Sequence, residues 1–193
     1  MDVYEAILSR RSIRRFKQKQ ITSDILKKLV NAARLAPSAA NLQPLEFFIV
    51  NDKDLCSEIF KTLSWAGYIK PKWTPNPQER PVAYIIMLIK NPDNKWYLRD
   101  VSLASENIVI AAEGEGIGSC ILCNINKDEI RKILDIPDKI FIDSVIALGY
   151  KDEKSVVEEF KENVEYWRDG NNIMHVPKRK LEDVIHINTY KNR

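Results

Sequence analysis

An uninterrupted apolar run over residues 82–89 (VAYIIMLI) limits the fold more than any other feature of this sequence. The run is far shorter than a membrane-spanning helix, and it is typical of a β-strand that is buried on both faces. A second apolar run, over residues 141–150, ends in Gly149-Tyr150 and predicts another buried strand. The chain is therefore expected to fold around a buried sheet.

Helical patterns alternate with these strands along the chain. Asp2 and Glu5 have the spacing of a capping box at the start of a first helix. The apolar face of that helix is formed by Val3, Tyr4, Ile7 and Leu8. Further helices are predicted over residues 22–36, 52–62, 96–115 and 126–136, and an acidic helix over 152–165.

Shorter elements complete this assignment. Strands are predicted over residues 46–51 and 184–188, and the second of these follows a polar loop over residues 167–172. Helices and strands interleave without the regularity of a doubly wound sheet. The sequence therefore predicts one α+β domain spanning residues 1–193.

Composition and charge exclude several classes of protein. Hydrophobic residues make up 45% of the chain and the net charge is +3, which excludes a disordered or collagen-like protein. The charge is too small to indicate a nucleic-acid partner by itself. The acidic N-terminus lacks the features of a secretory signal, and no apolar run is long enough for a membrane span.

Three cysteines bear on the cellular compartment. An odd number of cysteines in a chain of 193 residues favours a reducing cytoplasm over a disulfide framework. Cys120 and Cys123 have CxxC spacing, but they lie in an apolar segment that is predicted to be a strand. Buried structural thiols are therefore favoured over a redox or metal-binding pair.

Two basic clusters lie far apart in the sequence. Residues 10–15 (RRSIRR) directly follow the first helix, and residues 178–180 (KRK) lie near the C-terminus. Closely spaced arginines repel one another unless an anion or carboxylates neutralise them, and arginine is the preferred side chain for bidentate phosphate contacts. The first cluster is therefore either an anion site or a solvated basic edge.

Two further motifs consist of small and polar residues. Residues 36–44 (APSAANLQP) form a helix stop in which small side chains allow a flat ligand to approach and two carboxamides offer donors and acceptors. Residues 114–120 (GEGIGSC) follow the longest helix, where Gly114 and Gly116 are expected to form its C-cap. A Rossmann phosphate turn is excluded there because it would follow a strand and open a helix.

In order along the chain, these motifs resemble the nitroreductase family of FMN-dependent oxidoreductases. The pattern runs from RRSIRxF through APSxxNxQP and a long helix into GIGS, then to GY, a basic KRK and LEDVIH. The resemblance implies a nitroreductase-like fold, with a central, mostly antiparallel sheet flanked by helices. It also implies an intertwined homodimer with an exchanged C-terminal strand, in which residues from about 166 to 193 wrap the partner subunit.

The resemblance assigns four segments to FMN binding. The two basic clusters are expected to contact the phosphate, and the first of them also the polar edge of the flavin. The loop over residues 36–44 is expected to reach the FMN of the opposite subunit, and the backbone after the GIGS turn to lie near the reactive N5 atom. The residues concerned are Arg10, Arg11, Ser12, Arg14, Pro37, Ser38, Ala39, Asn41, Gln43, Leu122, Cys123, Lys178, Arg179 and Lys180.

The resemblance also implies a ping-pong reaction. NAD(P)H would transfer a hydride to FMN N5, and a nitroaromatic, a quinone or a similar planar acceptor would then receive it. No catalytic side chain is expected, because the flavin carries the chemistry and the chain has only two histidines and no Ser/His/Asp or metal-ligand cluster. Trp65, Tyr68 and Trp73 are expected to shape the substrate pocket.

Two alternatives stay open at the level of sequence. A family relative would keep FMN but catalyse flavin fragmentation, dehalogenation or enone reduction. A protein of another class would use residues 10–15 to bind nucleic acid or another anionic partner without catalysis. The absence of aromatic residues between the arginines argues against nucleic acid, and neither nucleic acid nor membrane is expected as a partner.

Overall fold

The computed structural model describes residues 1–90, 92 and 95–190. The elements in chain order are α1 (Val3–Ser9), β1 (Phe16–Lys17), α2 (Ser23–Arg34), a 3-10 turn (Ala39–Asn41), β2 (Leu45–Val50), α3 (Lys53–Lys61), β3 (Ala83–Ile89), α4 (Tyr97–Gly114), β4 (Ile117–Leu122), α5 (Lys127–Leu134), β5 (Phe141–Lys151), β6 (Ser155–Glu159), β7 (Trp167–Arg168), β8 (Met174–Lys178) and a second 3-10 turn (Leu181–Asp183). None of the described helices is long and apolar enough to cross a membrane.

A five-stranded antiparallel sheet forms the centre of the fold, in the order β1-β5-β3-β2 with β4 also paired to β5. Tyr150 pairs with both Lys17 and Ile117, so β1 and β4 lie on opposite edges of β5. All residues of β3 are buried, which confirms the strand expected from the apolar run. The α+β class and the central antiparallel sheet expected from the motifs are also confirmed.

Helices cover the central sheet on both faces. Successive residues of β3 point to opposite sides, so its apolar side chains need a covering layer on each face. Tyr84, Ile86 and Leu88 pack in one core cluster with residues of α3 and α5. The alternate residues of the strand, from Ala83 to Met87, pack in a second cluster with residues of α2 and α4. Ligand-binding groups are therefore restricted to the edges and ends of the sheet.

Caps define the helix boundaries as expected from the sequence. Asp2 and Glu5 form the reciprocal capping box of α1, while Thr22, Asp52 and Asn126 accept backbone hydrogen bonds at the starts of α2, α3 and α5. The expected apolar face of α1 lies uncovered in the single chain. Its residues Val3, Tyr4, Ile7 and Leu8 are between 49% and 71% exposed.

Two glycines allow residues 13–16 to lie directly on the sheet. The Ile13 backbone N–H donates to the Ser119 carbonyl at 2.8 Å, which fastens the segment along β4. A Cβ at Gly118 would lie 2.9 Å from the Ile13 side chain, and one at Gly149 would lie 2.7 Å from the Phe16 side chain. Both glycines are therefore required by close packing.

Three predictions from the second half of the chain are wrong. Residues 152–165 do not form an acidic helix, because residues 155–159 form strand β6, which pairs in parallel with β8. The loop expected over residues 167–172 begins with strand β7, which pairs with β8 in the same small sheet. Residues 184–188 form turn and bend structure in the single chain and not a strand.

Substitution of Gly149 by alanine tests the close packing on β5. We expect Gly149→Ala to lower the free energy of unfolding by about 1–3 kcal/mol, since the added methyl group overpacks against Phe16. Gly170→Ala is the matched control, because a Cβ there has no neighbour within 4 Å. Urea unfolding of both variants measures the difference, and equal midpoints for the two would contradict the packing argument.

Candidate functional site

The arginine segment, residues 10–15, lies beside strand β4. Ser12 forms a parallel bridge with Ser119, and the hydrogen bond from Ile13 continues that contact. The structure thus brings together the first basic cluster and strand β4, which begins within the GIGS motif. Gly116 has a φ of +70° directly after the C-cap of α4, which confirms its expected role at the helix end.

Glu113, at the C-terminal end of α4, holds the start of the arginine segment. Its side chain is buried and accepts hydrogen bonds from Ser9 Oγ at 2.9 Å and from Lys151 Nζ at 2.6 Å. Burial and the neighbouring Arg10 lower the pKa of Arg11, while Glu113 raises it. A buried carboxylate therefore partly balances the clustered positive charge.

Arg11 retains an unused hydrogen-bond donor. Its Nε atom is buried and has no hydrogen-bond partner among the described residues. A buried guanidinium donor without a partner is costly, so its position favours an external acceptor. The donor set and its positive charge fit a phosphate or another oxyanion.

Glu153 joins the arginine segment to the small sheet of β6, β7 and β8. Its fully buried side chain accepts a hydrogen bond from the Arg14 backbone N–H and pairs with Arg168 Nη2 at 3.2 Å. Burial raises the pKa of Glu153 despite these contacts, which act to lower it. The Arg14 guanidinium lies 4.5 Å from the centre of the Tyr166 ring. Arg14 is therefore buried against the segments that lead into the small sheet.

The loop over residues 37–44 is held from within by Asp100 of α4. The Ala39 N–H donates to Asp100 Oδ1 at 2.9 Å, and the Gln43 N–H donates to Ser38 Oγ at 3.0 Å. Asp100 is only 2% exposed, and its second carboxylate oxygen has no partner among the described residues. This network fixes the loop on the end of α4.

The outer part of that loop has an unusual backbone. Ala40, Asn41 and Gln43 all have positive φ values, between 48° and 55°. Such conformations cost free energy in residues other than glycine and need surrounding contacts to maintain them. Asn41 and Gln43 are exposed, whereas Pro44 at the loop end is buried. The loop therefore presents its two carboxamides outward from a fixed base.

The three residues expected to line a substrate pocket have different environments. Trp65 is 6% exposed and stacks on Phe60 at 5.7 Å, so it packs in the core of the single chain, and its role in a pocket wall stays a prediction. Tyr68 is half exposed and contacts Tyr166 edge to face at 5.1 Å. Trp73 lies under the Arg168 guanidinium at 4.4 Å. Tyr68 and Trp73 are thus joined to the small sheet.

The C-terminal basic cluster lies away from the arginine segment in the single chain. Lys180 Nζ pairs with Glu159 at 2.9 Å, and Arg179 donates to the Asp183 carbonyl. Lys178 is four residues beyond Met174 on β8, which places it about 13 Å from Met174, the residue that pairs with Arg168 beside Glu153. The contacts of the described residues do not join the two basic clusters.

The cysteines are unpaired, and they differ in exposure. Cys120 is buried, and burial raises the pKa of its thiol, whereas Cys123 is exposed. The expectation of two buried thiols is therefore wrong for Cys123. Leu122 is buried in the core, so only its backbone is available to a ligand. The described residues contain no group of metal-ligating side chains.

Comparison with known proteins identifies the class. The family model of the nitroreductase family matches residues 7–150, and the chain belongs to that family. A candidate NADH dehydrogenase/NAD(P)H nitroreductase of Archaeoglobus fulgidus is 37% identical over 158 residues, covering 79% of this chain and 87% of the relative.

Two further relatives are named for different reactions. An FMN-dependent nitroreductase of Clostridium difficile R20291 has a similar structure, with a TM-score of 0.69, 25% identity and coverage of 96% of this chain and 98% of that chain. An iodotyrosine deiodinase of Thermotoga neapolitana is 24% identical over 167 residues, covering 78% of this chain and 89% of the relative. The chain is thus similar to proteins named for different reactions.

Sequence reasoning did not find the buried carboxylates that organise this site. Asp100 and Glu113 lie on α4, and Glu153 follows β5. Asp100 does carry a signal, because it has the four-residue spacing of the buried Ala104 and Ile108. An acidic residue at a buried helical position indicates a specific partner. Glu153 offers no comparable signal, because its partner Arg168 belongs to a distant strand.

Removal of the Asp100 carboxylate should release the loop. We expect Asp100→Ala to speed hydrogen exchange of the Ala39 amide by about tenfold to a hundredfold, the effect of losing one hydrogen bond to a charged acceptor. Asp100→Asn is the matched control, because its side-chain oxygen can accept the same bond. Unchanged exchange in Asp100→Ala, measured by NMR or mass spectrometry, would show that Asp100 does not hold the loop.

Proposed function

We propose that this protein is an FMN-dependent oxidoreductase that uses NAD(P)H. The observation that carries the proposal is the buried, unpartnered Nε of Arg11 within a segment of four arginines beside β4. The donors there suit the phosphate and the polar edge of a flavin. The chain's membership of the nitroreductase family and its similarity to a protein named as an FMN-dependent nitroreductase support the choice of cofactor.

The residues of this chain would bind and orient the cofactor. Arg10, Arg11 and Ser12 would contact the phosphate and the polar edge of the flavin, together with Arg14. The backbone of residues 121–123 would lie along the central ring and leave one face open for substrate. When bound, FMN supplies the hydride-transfer chemistry, so the protein needs no nucleophile or acid–base pair of its own.

Positive charge in the arginine segment would also affect the reduction potential of the flavin. Arg11 or Arg14 beside the pyrimidine edge would stabilise negative charge on that edge. Glu113 and Glu153 limit this positive charge, because each carboxylate is buried against the segment. The balance between arginines and buried carboxylates is therefore the means by which this chain would set the flavin potential.

We propose a homodimer with two composite sites. The loop with Pro37, Ser38, Ala39 and Asn41 would reach the FMN of the opposite subunit, and its exposed carboxamides and rigid base support that role. The uncovered apolar face of α1 supports a subunit interface there. Residues 167–168 and 174–178 pair within their own chain, so within the segment from about 166 to 193 the residues from about 179 onward would wrap the partner. Those residues include two of the predicted phosphate ligands, Arg179 and Lys180.

The substrate would be a small planar molecule that stacks on the open face of the flavin. Tyr68 and Trp73, on the loop that contacts the small sheet, would contribute to its pocket. A nitroaromatic or quinone acceptor in a ping-pong cycle is the first choice. Reductive dehalogenation is the second, and the similarity to an iodotyrosine deiodinase favours it. A cytoplasmic location is proposed because all three cysteines are unpaired.

Single variants and their mixture test the composite site. We expect Arg10→Ala and Asn41→Ala each to weaken FMN binding by about tenfold or more, since each removes a polar contact to the cofactor. Heterodimers refolded from the two variants should regain one tight site per dimer, because one site then combines the intact Arg10 with the intact Asn41. Flavin fluorescence titration measures both the affinity and the stoichiometry.

The control for that experiment is Lys17→Ala, which removes an exposed positive charge from β1 beyond the arginine segment. It should bind FMN as tightly as the parent. Heterodimers with no tight site would show that Asn41 acts within its own subunit. Parent-like affinity of both single variants would refute the proposed placement of the cofactor.

A further inference from the structure

A cavity lies just beyond β1, and its lining does not include β4. It has a volume of about 500 Å³ and opens between β1, the start of α3 and the segment that leads into β3. Its lining residues are Gln18, Gln20, Lys53, Cys56, Ser57, Pro77, Gln78, Arg80, Pro81 and Val82. None of its lining residues is a predicted FMN ligand, so the cavity is distinct from the candidate flavin site, and the Arg15–Glu79 ion pair links its edge to the arginine segment.

The charged residues of the lining are all cationic. Lys53 and Arg80 are cationic, three glutamines contribute carboxamides, and none of the lining residues is acidic. Neither cation takes part in an ion pair within the described parts of the chain. Asp52 lies close enough to raise the pKa of the lining residue Cys56, but the two lining cations outnumber this carboxylate and favour an anionic ligand.

Arg80 is held in place for such a ligand. Its guanidinium lies 4.1 Å from the centre of the Phe60 ring, and its backbone carbonyl accepts a hydrogen bond from Gln18 Nε2 at 2.9 Å. The Nε atom is buried and lacks a hydrogen-bond partner among the described residues. The side chain is therefore ordered by packing while one of its donors has no acceptor.

A second unpartnered donor lies beneath the cavity. The Tyr84 hydroxyl is buried and has no partner in the described part of the chain. Burial raises the pKa of Tyr84 most, Cys56 raises it further and Arg80 lowers it, so the hydroxyl lies close to two lining residues. Arg80 Nε, on a lining residue, and the Tyr84 hydroxyl, close to the lining, are thus two buried donors without acceptors among the described residues.

We propose that this cavity binds the phosphate or carboxylate group of a small molecule, with Arg80 and Lys53 as its charged ligands. The volume is within the range of small-molecule sites and exceeds that of a simple oxyanion, so it leaves space for an organic portion. The apolar floor formed by Cys56, Pro81 and Val82 would contact that portion. The proposal does not depend on the flavin reaction.

Thermal unfolding with added anions tests the proposal. FMN-saturated protein is titrated with inorganic phosphate or with acetate at constant ionic strength, with chloride as the reference. A ligand that binds only the folded state raises Tm in a saturable way. We expect a saturable rise with at least one of the two anions, and the anion that binds more tightly identifies the class of ligand.

Variants assign the binding to the cavity. Arg80→Gln and Lys53→Gln should each raise the dissociation constant of that anion by about tenfold or more, because each loses one charge-assisted contact. Lys61→Gln is the matched control, since it removes the same charge from α3 at a position that pairs with Glu58 outside the cavity. Saturation with FMN keeps the flavin phosphate site occupied, and this separates the cavity from that site.

Two outcomes would overturn the proposal. One is the absence of a saturable shift with either anion in the parent protein. The other is binding that persists unchanged in both Arg80→Gln and Lys53→Gln. If Arg80→Gln unfolds because it loses its packing on Phe60, Lys53→Gln alone decides: weaker anion binding supports the proposal, and unchanged binding overturns it.

Discussion

Burial of β3 and β5 on both faces is the constraint from which the remaining architecture follows. Because helices cover both sides of these strands, polar ligand-binding groups can lie only at the edges and ends of the sheet. The arginine segment uses the edge of β4 and crosses the end of β5, where Gly118 and Gly149 leave room for Ile13 and Phe16. Close backbone packing thus positions a cluster of positive charge beside the sheet.

Buried carboxylates make that charge cluster compatible with a folded chain. Glu113 binds Ser9 and Lys151, and Glu153 binds the Arg14 backbone and Arg168. Removal of one partner from such a buried arrangement leaves an uncompensated charge, which costs more than the net contribution of the intact pair. The same carboxylates moderate the positive potential that the proposed cofactor would experience. Structural and electronic roles are therefore combined in these residues.

The parts of the fold that depend on local sequence were predicted well. Capping residues such as Asp2 and Asn126 define helix starts through contacts within one turn, and the run of residues 82–89 could be buried only as a central strand. The motifs also predicted the family, because their order and spacing extend along the chain.

Predictions failed where pairing partners are distant in sequence. Residues 155–159 pair with β8, nineteen positions further along the chain, and no local pattern shows that register. The packing of Trp65 against Phe60 also depends on how its loop folds, and Asp100 of α4 was overlooked because its partner is the backbone N–H of Ala39 in a loop distant in sequence. The contacts of each candidate FMN ligand remain predictions, since they involve a cofactor and a second subunit.

Anaerobic reduction of the FMN-loaded protein tests the central claim most directly. The account predicts that NADH or NADPH bleaches the flavin absorbance in a single turnover, and that a quinone or nitroaromatic acceptor restores it after the nicotinamide has been removed. Restoration by a halogenated aromatic with release of halide would favour the second candidate reaction. A protein that does not bind FMN, or whose bound FMN is reduced by neither nicotinamide, would contradict the account.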